Sequence, residues 1–213
     1  MRQLYSYFRS SASYRVRIAL HLKGLDFDTV PVHLLRDGGE QHGEAYRAIN
    51  PAQLVPALVD ESLALGQSVA IMEYLEEAYP SPALLPLERA SRAQVRAVVQ
   101  AIACDIHPLN NLRVLQYLEH TLGHDEATRA TWYRHWITLG FEALEAQLAQ
   151  TAGAFCFGDA PTLADCCLIP QVANARRFQT PLERFPTIVR IDAHCRTLPA
   201  FIAAAPDNQP DFA

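Results

Sequence analysis

The residues best suited to chemistry form a serine-rich turn near the start of the chain. Ser10, Ser11 and Ser13 stand between an apolar run ending at Phe8 and a segment of helical pattern. This order predicts a strand, a turn and a helix, so that hydroxyl groups, backbone N–H groups and the positive end of a helix dipole meet at one point. Such a site suits an anion, and a thiolate held there would have its pKa lowered. The alternative is that these serines serve only as helix caps.

Two further motifs favour a ligand site over simple capping. Val55-Pro56 stands between a loop and a short apolar run, where a cis proline would turn the free N–H and C=O of the backbone toward a peptide ligand. Gln67-Ser68 precedes another helical segment, and the start of a helix suits a carboxylate.

Other kinds of site lack support. The sequence has no GxGxxG, GxxxxGK[ST], GxSxG or HExxH motif. His120 and His124 are four residues apart, but Gly123 lies between them and no third ligand is near, so we expect solvent-facing histidines and no metal.

Composition restricts the partners and the compartment. Half of the residues are hydrophobic and the net charge is −5, which is typical of a globular protein and disfavours nucleic acid or an anionic membrane as partner. The sequence has no apolar run long enough to predict a membrane span, and its first residues lack the uninterrupted apolar stretch of a signal peptide. The five cysteines are odd in number and form no CxxC pair, so we expect reduced, inert thiols in a cytoplasmic protein.

The pattern along the chain predicts two domains with a boundary near residue 80. Residues 1–80 alternate apolar runs at 4–8, 27–34, 57–59 and 63–65 with helical segments, which favours an α/β domain with a partly parallel sheet. Pro80, Pro82 and Pro86 indicate a linker. Residues 88–213 are predicted to be all helical, with the proline-rich end of the chain at the surface.

Three features stand out in the helical part. Residues 89–122 carry a long helical pattern that Pro108 should bend or divide. A second long helix is predicted over 125–150. Thr162 and Asp165 have the form of an acidic capping box, which should start a buried helix because 166–175 is almost wholly apolar.

The chain resembles the zeta class of glutathione transferases over essentially its whole length. Taken together and in order, the motifs are specific, although each alone is weak. They are Ser10-Ser11-Ala12-Ser13 with Arg15-Val16-Arg17-Ile18-Ala19-Leu20, Asn50-Pro51, Val55-Pro56-Ala57-Leu58, Gln67-Ser68, Tyr74-Leu75-Glu76-Glu77, Cys104 to Asn111, Thr162-Leu163-Ala164-Asp165, Pro170-Gln171 and Arg177-Phe178.

The resemblance implies a fold, a cofactor and an assembly. The fold would be α/β plus all-α: an N-terminal thioredoxin-like domain and a C-terminal all-helical domain. The cofactor would be glutathione, the substrate a small dicarboxylate, and the protein a homodimer.

The resemblance also implies roles for individual residues. Ser10, Ser11 and Arg9 would be catalytic, with Ser11 and the Ala12 backbone stabilising the glutathione thiol. Val55 and Pro56 would hold its cysteinyl part, and Gln67 and Ser68 its γ-glutamyl part. Asp105 would approach glutathione from the neighbouring subunit, and His107 would also lie at the cofactor. His107 could serve as a proton shuttle or, alternatively, have a structural or interface role. The substrate pocket would contain Arg9, Asn111, Arg176 and Arg177, although a solvated helix end is an alternative for the last two.

The implied reaction is cis–trans isomerisation of maleylacetoacetate to fumarylacetoacetate in tyrosine and homogentisate breakdown. Addition of a thiolate would turn the cis double bond into a single bond that rotates, and elimination would release the trans product. Isomerisation of maleylpyruvate in gentisate breakdown, and general glutathione conjugation or peroxidase activity, are alternatives. A noncatalytic binding protein is a third.

Two departures from the family pattern bear on the choice. Ala12 stands where the class often has cysteine, which puts any chemistry of a protein thiol in doubt. Arg176 precedes Arg177 where many isomerases have an acidic or neutral residue, and this arginine pair resembles the maleylpyruvate enzymes.

Overall fold

The computed structural model describes residues 1–212, and strands alternate with helices over the first part of the chain. In order, these are β1 (Arg2–Ser6), α1 (Ser11–Leu22), β2 (Phe27–Pro31), α2 (Glu44–Ile49), β3 (Ala57–Asp60), β4 (Leu63–Gly66) and α3 (Ser68–Ala78). The strands form one sheet in the order β2-β1-β3-β4. β1 and β2 are parallel, while β3 pairs antiparallel with both β1 and β4. The predicted α/β domain with a partly parallel sheet is confirmed.

β1 ends two residues earlier than the apolar pattern predicted. The Tyr7 and Phe8 carbonyls accept hydrogen bonds from the Arg17 guanidinium, at 3.5 and 3.1 Å. The Phe8 N–H donates to Asp211 Oδ2 at 2.9 Å. These backbone groups are thus taken up by side chains instead of by a neighbouring strand, and the chain leaves the sheet toward the serine-rich turn.

A buried ion pair stabilises the first compact unit, to which residues 1–85 belong. Lys23, the only lysine of the chain, places Nζ 2.7 Å from Glu76 Oε2, and both side chains are buried. Lys23 Nζ also donates to the carbonyls of Tyr79 and Pro82, at 2.7 and 3.0 Å. Glu76 accepts from the backbone N–H groups of Leu84 and Leu85. Because both charges are surrounded by hydrogen-bonding partners, the pair can be buried where an isolated charge could not.

The second compact unit, Pro86–Cys195, is helical. It contains α4 (Arg89–Gln100), α5 (Leu112–His120), α6 (Glu126–Thr151), α7 (Leu163–Arg177) and α8 (Pro186–Cys195). A π-helical turn, Ala101–Ile106, and a 3-10 turn, His107–Asn110, separate α4 from α5. The predicted division near Pro108 is confirmed, but the irregular backbone begins seven residues earlier, at Ala101. At the end of the π-helical turn, Ile106 packs so closely against Gly140 that a Cβ on residue 140 would overlap the Ile106 side chain.

The predicted capping box at the start of α7 is confirmed. The Thr162 N–H and hydroxyl donate to Asp165 Oδ2 at 2.8 and 2.9 Å, and the Cys156 N–H donates to Oδ1 at 2.8 Å. Burial raises the pKa of Asp165, while these hydrogen bonds act in the opposite direction. Cys156, Cys166, Cys167 and Cys195 are buried and Cys104 is exposed. Burial raises the pKa of the Cys156, Cys166 and Cys195 thiols.

The end of the chain differs from the predicted domain boundary of 88–213. Residues 196–212, with α9 (Pro199–Ala204), belong to the same compact unit as residues 1–85. Arg17 Nε donates to the Ala204 carbonyl at 2.9 Å, and Asp211 accepts from Phe8. The segment therefore packs on the α/β unit because its polar groups are bound there, and the predicted surface tail is anchored at Asp211.

Within residues 1–212, no helix is both long and apolar enough to cross a bilayer. No group of three or more His, Cys, Asp and Glu side chains in this range could hold a metal ion.

Candidate functional site

The serine-rich turn opens α1 directly after the loop that follows β1. Ser10 is the N-cap, and its Oγ accepts from the Ser13 N–H at 3.2 Å. Ser11 begins the helix and is buried. The first intrahelical bond joins the Tyr14 N–H to the Ser10 carbonyl, so the N–H of Ala12 lies before the regular hydrogen-bond ladder. Ser10 thus has a capping role, while Ser11 and Ala12 lie at the positive end of α1.

A buried arginine links this helix to the second predicted binding motif. Arg15 is buried on α1, and its Nη1 donates to Ser68 Oγ at 3.2 Å. Gln67 is the exposed N-cap of α3 with φ 68°, and its side chain makes no capping hydrogen bond. The first turn of α3 therefore combines uncapped N–H groups with a guanidinium, which suits a carboxylate. Arg15 brings the two motifs, 53 residues apart in sequence, into one region.

The Val55-Pro56 peptide bond is cis and lies just before β3. The loop leading to it is fixed, because the Tyr46 hydroxyl and Asn50 Nδ2 both donate to the Leu54 carbonyl, at 2.6 and 2.7 Å. Val55 is buried, and within residues 1–212 its backbone N–H and C=O form no hydrogen bond. The predicted cis proline is confirmed, and this backbone suits pairing with a peptide.

Arg9 directly precedes the serine-rich turn. Its side chain is exposed, and its Cζ lies 5.0 Å from the centre of the Phe8 ring. The Phe8 backbone is in turn held by Asp211. A cation therefore stands one residue from the N-cap of α1.

In the helical unit, three predicted site residues lie on the irregular segment between α4 and α5. Asp105 is exposed in the π-helical turn, and His107 begins the 3-10 turn. Asn111 is the N-cap of α5, where its Oδ1 accepts from the Arg113 N–H at 3.1 Å. A π-helical turn inside a helix often marks a functional site. Asn111 therefore caps α5 through its Oδ1, and this cap does not use its amide Nδ2.

The two arginines at the end of α7 have different surroundings. Arg176 Nη2 lies 2.6 Å from Asp192 Oδ2, and that aspartate is buried. Arg177 has its Cζ 4.8 Å from the centre of the Phe178 ring, which stacks on Tyr133 at 3.5 Å. Within residues 1–212, Arg177 forms no ion pair. The exposed Arg177 guanidinium is therefore available to an anion, whereas the Arg176 guanidinium already has a carboxylate partner.

Sequence reasoning missed Arg15 as a site residue. The available signal was two arginines, Arg15 and Arg17, flanking Val16 in an otherwise apolar helix. Arginine is rarely buried without partners, so two on a helix that is buried on nearly every side had to find specific acceptors. The acceptors are Ser68 for Arg15 and the carbonyls of residues 7 and 8 for Arg17. The sequence pattern of the helix does not indicate which residues these would be.

Comparison with known proteins identifies the family. The model of the N-terminal domain of glutathione S-transferases matches residues 4–83, and that of the C-terminal domain matches residues 139–202. The chain belongs to the glutathione S-transferase family, and the predicted thioredoxin-like and all-helical architecture is confirmed.

Individual relatives resemble almost the whole chain. A probable maleylacetoacetate isomerase of Vibrio cholerae is 53% identical over 208 residues, which cover 98% of this chain and 97% of the relative. The holo structure of a maleyl pyruvate isomerase, described as a bacterial zeta-class glutathione S-transferase, has a TM-score of 0.96 at 51% identity and 99% and 100% coverage. A maleylacetoacetate isomerase of Anaeromyxobacter dehalogenans with bound glutathione has a TM-score of 0.89 at 44% identity, with 100% of this chain and 98% of that chain covered. The resemblance to the zeta class is confirmed.

Proposed function

We propose that the protein is a glutathione-dependent cis–trans isomerase that converts maleylacetoacetate to fumarylacetoacetate. The observation that carries the proposal is the serine-rich turn at the positive end of α1, joined through Arg15 to the start of α3. This arrangement occurs in a chain 53% identical to a probable maleylacetoacetate isomerase.

The residues of the first unit fit glutathione. The backbone of Val55, free within residues 1–212, matches the peptide groups around the cysteinyl residue. The first turn of α3 at Gln67 and Ser68, with the Arg15 guanidinium beside it, matches the γ-glutamyl carboxylate. Binding at these two places would direct the thiol toward the start of α1.

When bound, glutathione would supply a thiolate for reversible addition to the substrate double bond, at the carbon beside the carboxylate and conjugate to the ketone. Rotation about the resulting single bond and loss of the same thiolate would then release the trans product. The protein needs to lower the pKa of that thiol and to place it. The Ser11 hydroxyl and the Ala12 N–H would donate to the sulfur of bound glutathione, and the dipole of α1 would favour its negative charge. Ala12 stands where the class often has cysteine, but isomerase activity does not need that cysteine, because the reacting sulfur belongs to glutathione and not to the protein.

Arginines hold the substrate by its charged ends. Arg9 and Arg177 are exposed guanidinium groups that bind carboxylates with paired hydrogen bonds. A cation near the ketone also stabilises the negative charge that develops on its oxygen during addition. Arg176 acts as a reserve cation that Asp192 holds in place, and Asn111 Nδ2 donates to the substrate.

Maleylpyruvate is the second candidate substrate. The arginine pair at 176–177 and the similarity to a maleyl pyruvate isomerase, at 51% identity and a TM-score of 0.96, favour it. General glutathione transfer or peroxidase activity is a further alternative, and it predicts turnover of apolar electrophiles with little preference for diacids.

The proposal includes an assembly and a compartment. The protein acts as a homodimer in which Asp105 and His107 of one subunit approach the glutathione bound by the other. Tyrosine and homogentisate breakdown in the cytoplasm is its place in metabolism. The free state of all five cysteines supports a reducing compartment.

The first experiment compares turnover of maleylacetoacetate and maleylpyruvate, each with and without glutathione. Glutathione-dependent turnover that favours maleylacetoacetate supports the proposal, and a preference for maleylpyruvate transfers it to gentisate breakdown. Turnover of neither, with glutathione still bound, refutes the isomerase proposal.

The Ser11→Ala variant tests the mechanism. Loss of a hydrogen-bond donor to the reacting anion should lower kcat by about 10²-fold. Ser62→Ala, in the exposed turn between β3 and β4, is the matched control and should retain full activity. A fully active, folded Ser11→Ala enzyme removes Ser11 from the mechanism.

A further inference from the structure

The C-terminal segment, residues 205–212, lies against the loop that precedes the serine-rich turn. Asp211 Oδ2 accepts the Phe8 N–H at 2.9 Å, across 203 residues of sequence. The rings of Phe8 and Phe212 meet edge to face with centres 5.5 Å apart. The Arg9 Cζ lies 5.0 Å from the centre of the same Phe8 ring. The C-terminal segment therefore contacts both the backbone and the ring of Phe8, and the Arg9 guanidinium also packs on that ring.

Arg17 also holds this loop. Besides the Tyr7 and Phe8 carbonyls, its guanidinium donates to Ser6 Oγ at 3.0 Å and to the Ala204 carbonyl at 2.9 Å. It is fully buried, and desolvation lowers its pKa to about 10, against the opposing charges of Tyr14 and Asp211. A buried cation thus spans the loop before the helix and the segment after α9.

Asp211 is an unusual choice for a merely structural contact. Its Oδ1 is buried and has no hydrogen-bond partner within residues 1–212. A buried polar oxygen left in this way costs free energy, and a neutral acceptor could satisfy one N–H without that cost. The charge of Arg17 nearby offsets part of it. The unsatisfied oxygen is explained if Asp211 serves to fix the position of the Phe8 backbone for function and not only to stabilise the fold.

We infer that Asp211 is a positioning residue, which acts through the Phe8 N–H to hold residues 7–9 so that Arg9 and Ser11 are aimed at the substrate and the thiol. The Phe8 N–H lies three residues from Ser11, and the intervening Ser10 is tied back to the Tyr7 carbonyl at 2.9 Å. A shift of Phe8 would therefore move the N-cap of α1 and the Arg9 guanidinium together.

The inference rests on the proposed function for the roles of Arg9 and Ser11, but it makes a separate prediction. In Asp211→Ala, the thiol of bound glutathione should lose stabilisation as its donors move. The thiolate fraction at neutral pH should fall about two- to tenfold, the range for loss of one hydrogen bond. This quantity is read from thiolate absorbance against pH in the enzyme–glutathione complex, with no maleyl substrate present.

Two variants separate positioning from general destabilisation. Asp211→Asn retains an acceptor oxygen for the Phe8 N–H and should restore the thiolate fraction to within about twofold of wild type. Asp207→Ala removes an equal charge from an exposed site of the same segment and should have no effect. Glutathione affinity should change little in all three, because Ser68, at the start of α3, is held by the Arg15 guanidinium and not by Phe8.

Each outcome has a defined meaning. A lower thiolate fraction in Asp211→Ala, rescued by Asp211→Asn, supports positioning even if the wild type fails to turn over either maleyl acid, in which case only the proposed function is lost. A wild-type thiolate fraction in Asp211→Ala refutes the inference while leaving the proposed function intact. Equal losses in the Ala and Asn variants also refute it, because the charge and not the hydrogen bond would then be responsible.

Discussion

Replacing Lys23 with methionine should severely destabilise the first unit. The substitution keeps the apolar stem but removes the ammonium that Glu76 Oε2 meets at 2.7 Å. Glu76 is only 8% exposed, so its carboxylate would remain buried with backbone N–H groups as its sole partners. Removing one member of a buried ion pair costs about 3–5 kcal/mol.

The melting temperature gives a second measure of the same loss. With about 2.1 cal/mol/K of unfolding entropy per residue, a chain of 213 residues has about 0.45 kcal/mol/K. The expected loss of about 3–5 kcal/mol then lowers the melting temperature by about 7–11 °C. Differential scanning calorimetry and urea unfolding of the purified variant would measure both quantities.

A surface ion pair provides the matched control. Arg184 and Glu142 approach to 2.8 Å, but their side chains are 68% and 43% exposed. Arg184→Met should therefore cost less than about 1 kcal/mol. If Lys23→Met cost no more than this control, the reasoning that burial makes the Lys23–Glu76 pair indispensable would be refuted. Adding Glu76→Gln to Lys23→Met should recover part of the loss, since it removes the uncompensated charge.

Three further predictions concern stability and reactivity. Gly140→Ala should cost about 1–3 kcal/mol because its Cβ would overlap Ile106; urea unfolding measures this cost, and Ile106→Ala in the same chain should reduce it. A thiol reagent at neutral pH should modify only Cys104 in the native protein and all five cysteines in denaturant, because the other four are buried; titration of released chromophore counts them, and more than one reactive thiol in the native state would contradict this. Burial raises the pKa of Tyr133 to about 12. The contribution of the buried neutral phenol to stability is therefore complete below the unfolded pKa near 10 and is lost as the pH rises toward 12. Urea unfolding above about pH 10 should show that the free energy of unfolding falls more steeply with pH in wild type than in Tyr133→Phe.

Local signals in the sequence were sufficient for the elements that carry the site. The capping box at Thr162 and Asp165 was predictable because both of its hydrogen bonds join residues three apart. The serine-rich turn and the cis Val55-Pro56 bond were predictable because residue type constrains backbone conformation directly. The family motifs added the assignment of roles, which no single turn could supply.

Contacts between distant residues were beyond the reach of pattern reasoning. Nothing near Asp211 indicates that its partner is Phe8, and nothing near Arg15 indicates Ser68. The break after α4 began at Ala101 instead of at Pro108, since close packing of Ile106 on Gly140, and not only proline, shapes the backbone there. These features depend on tertiary packing, which overrides local preference.

The burial of the single lysine has a consequence for chemical labelling. Lys23 carries the only side-chain amine of the chain, and its Nζ is enclosed by Glu76 and two carbonyls. Acylating reagents such as activated esters should therefore leave Lys23 unmodified in the native protein. Acylation of Lys23 would occur only when the first unit opens, so its rate would report opening of that unit without any engineered probe.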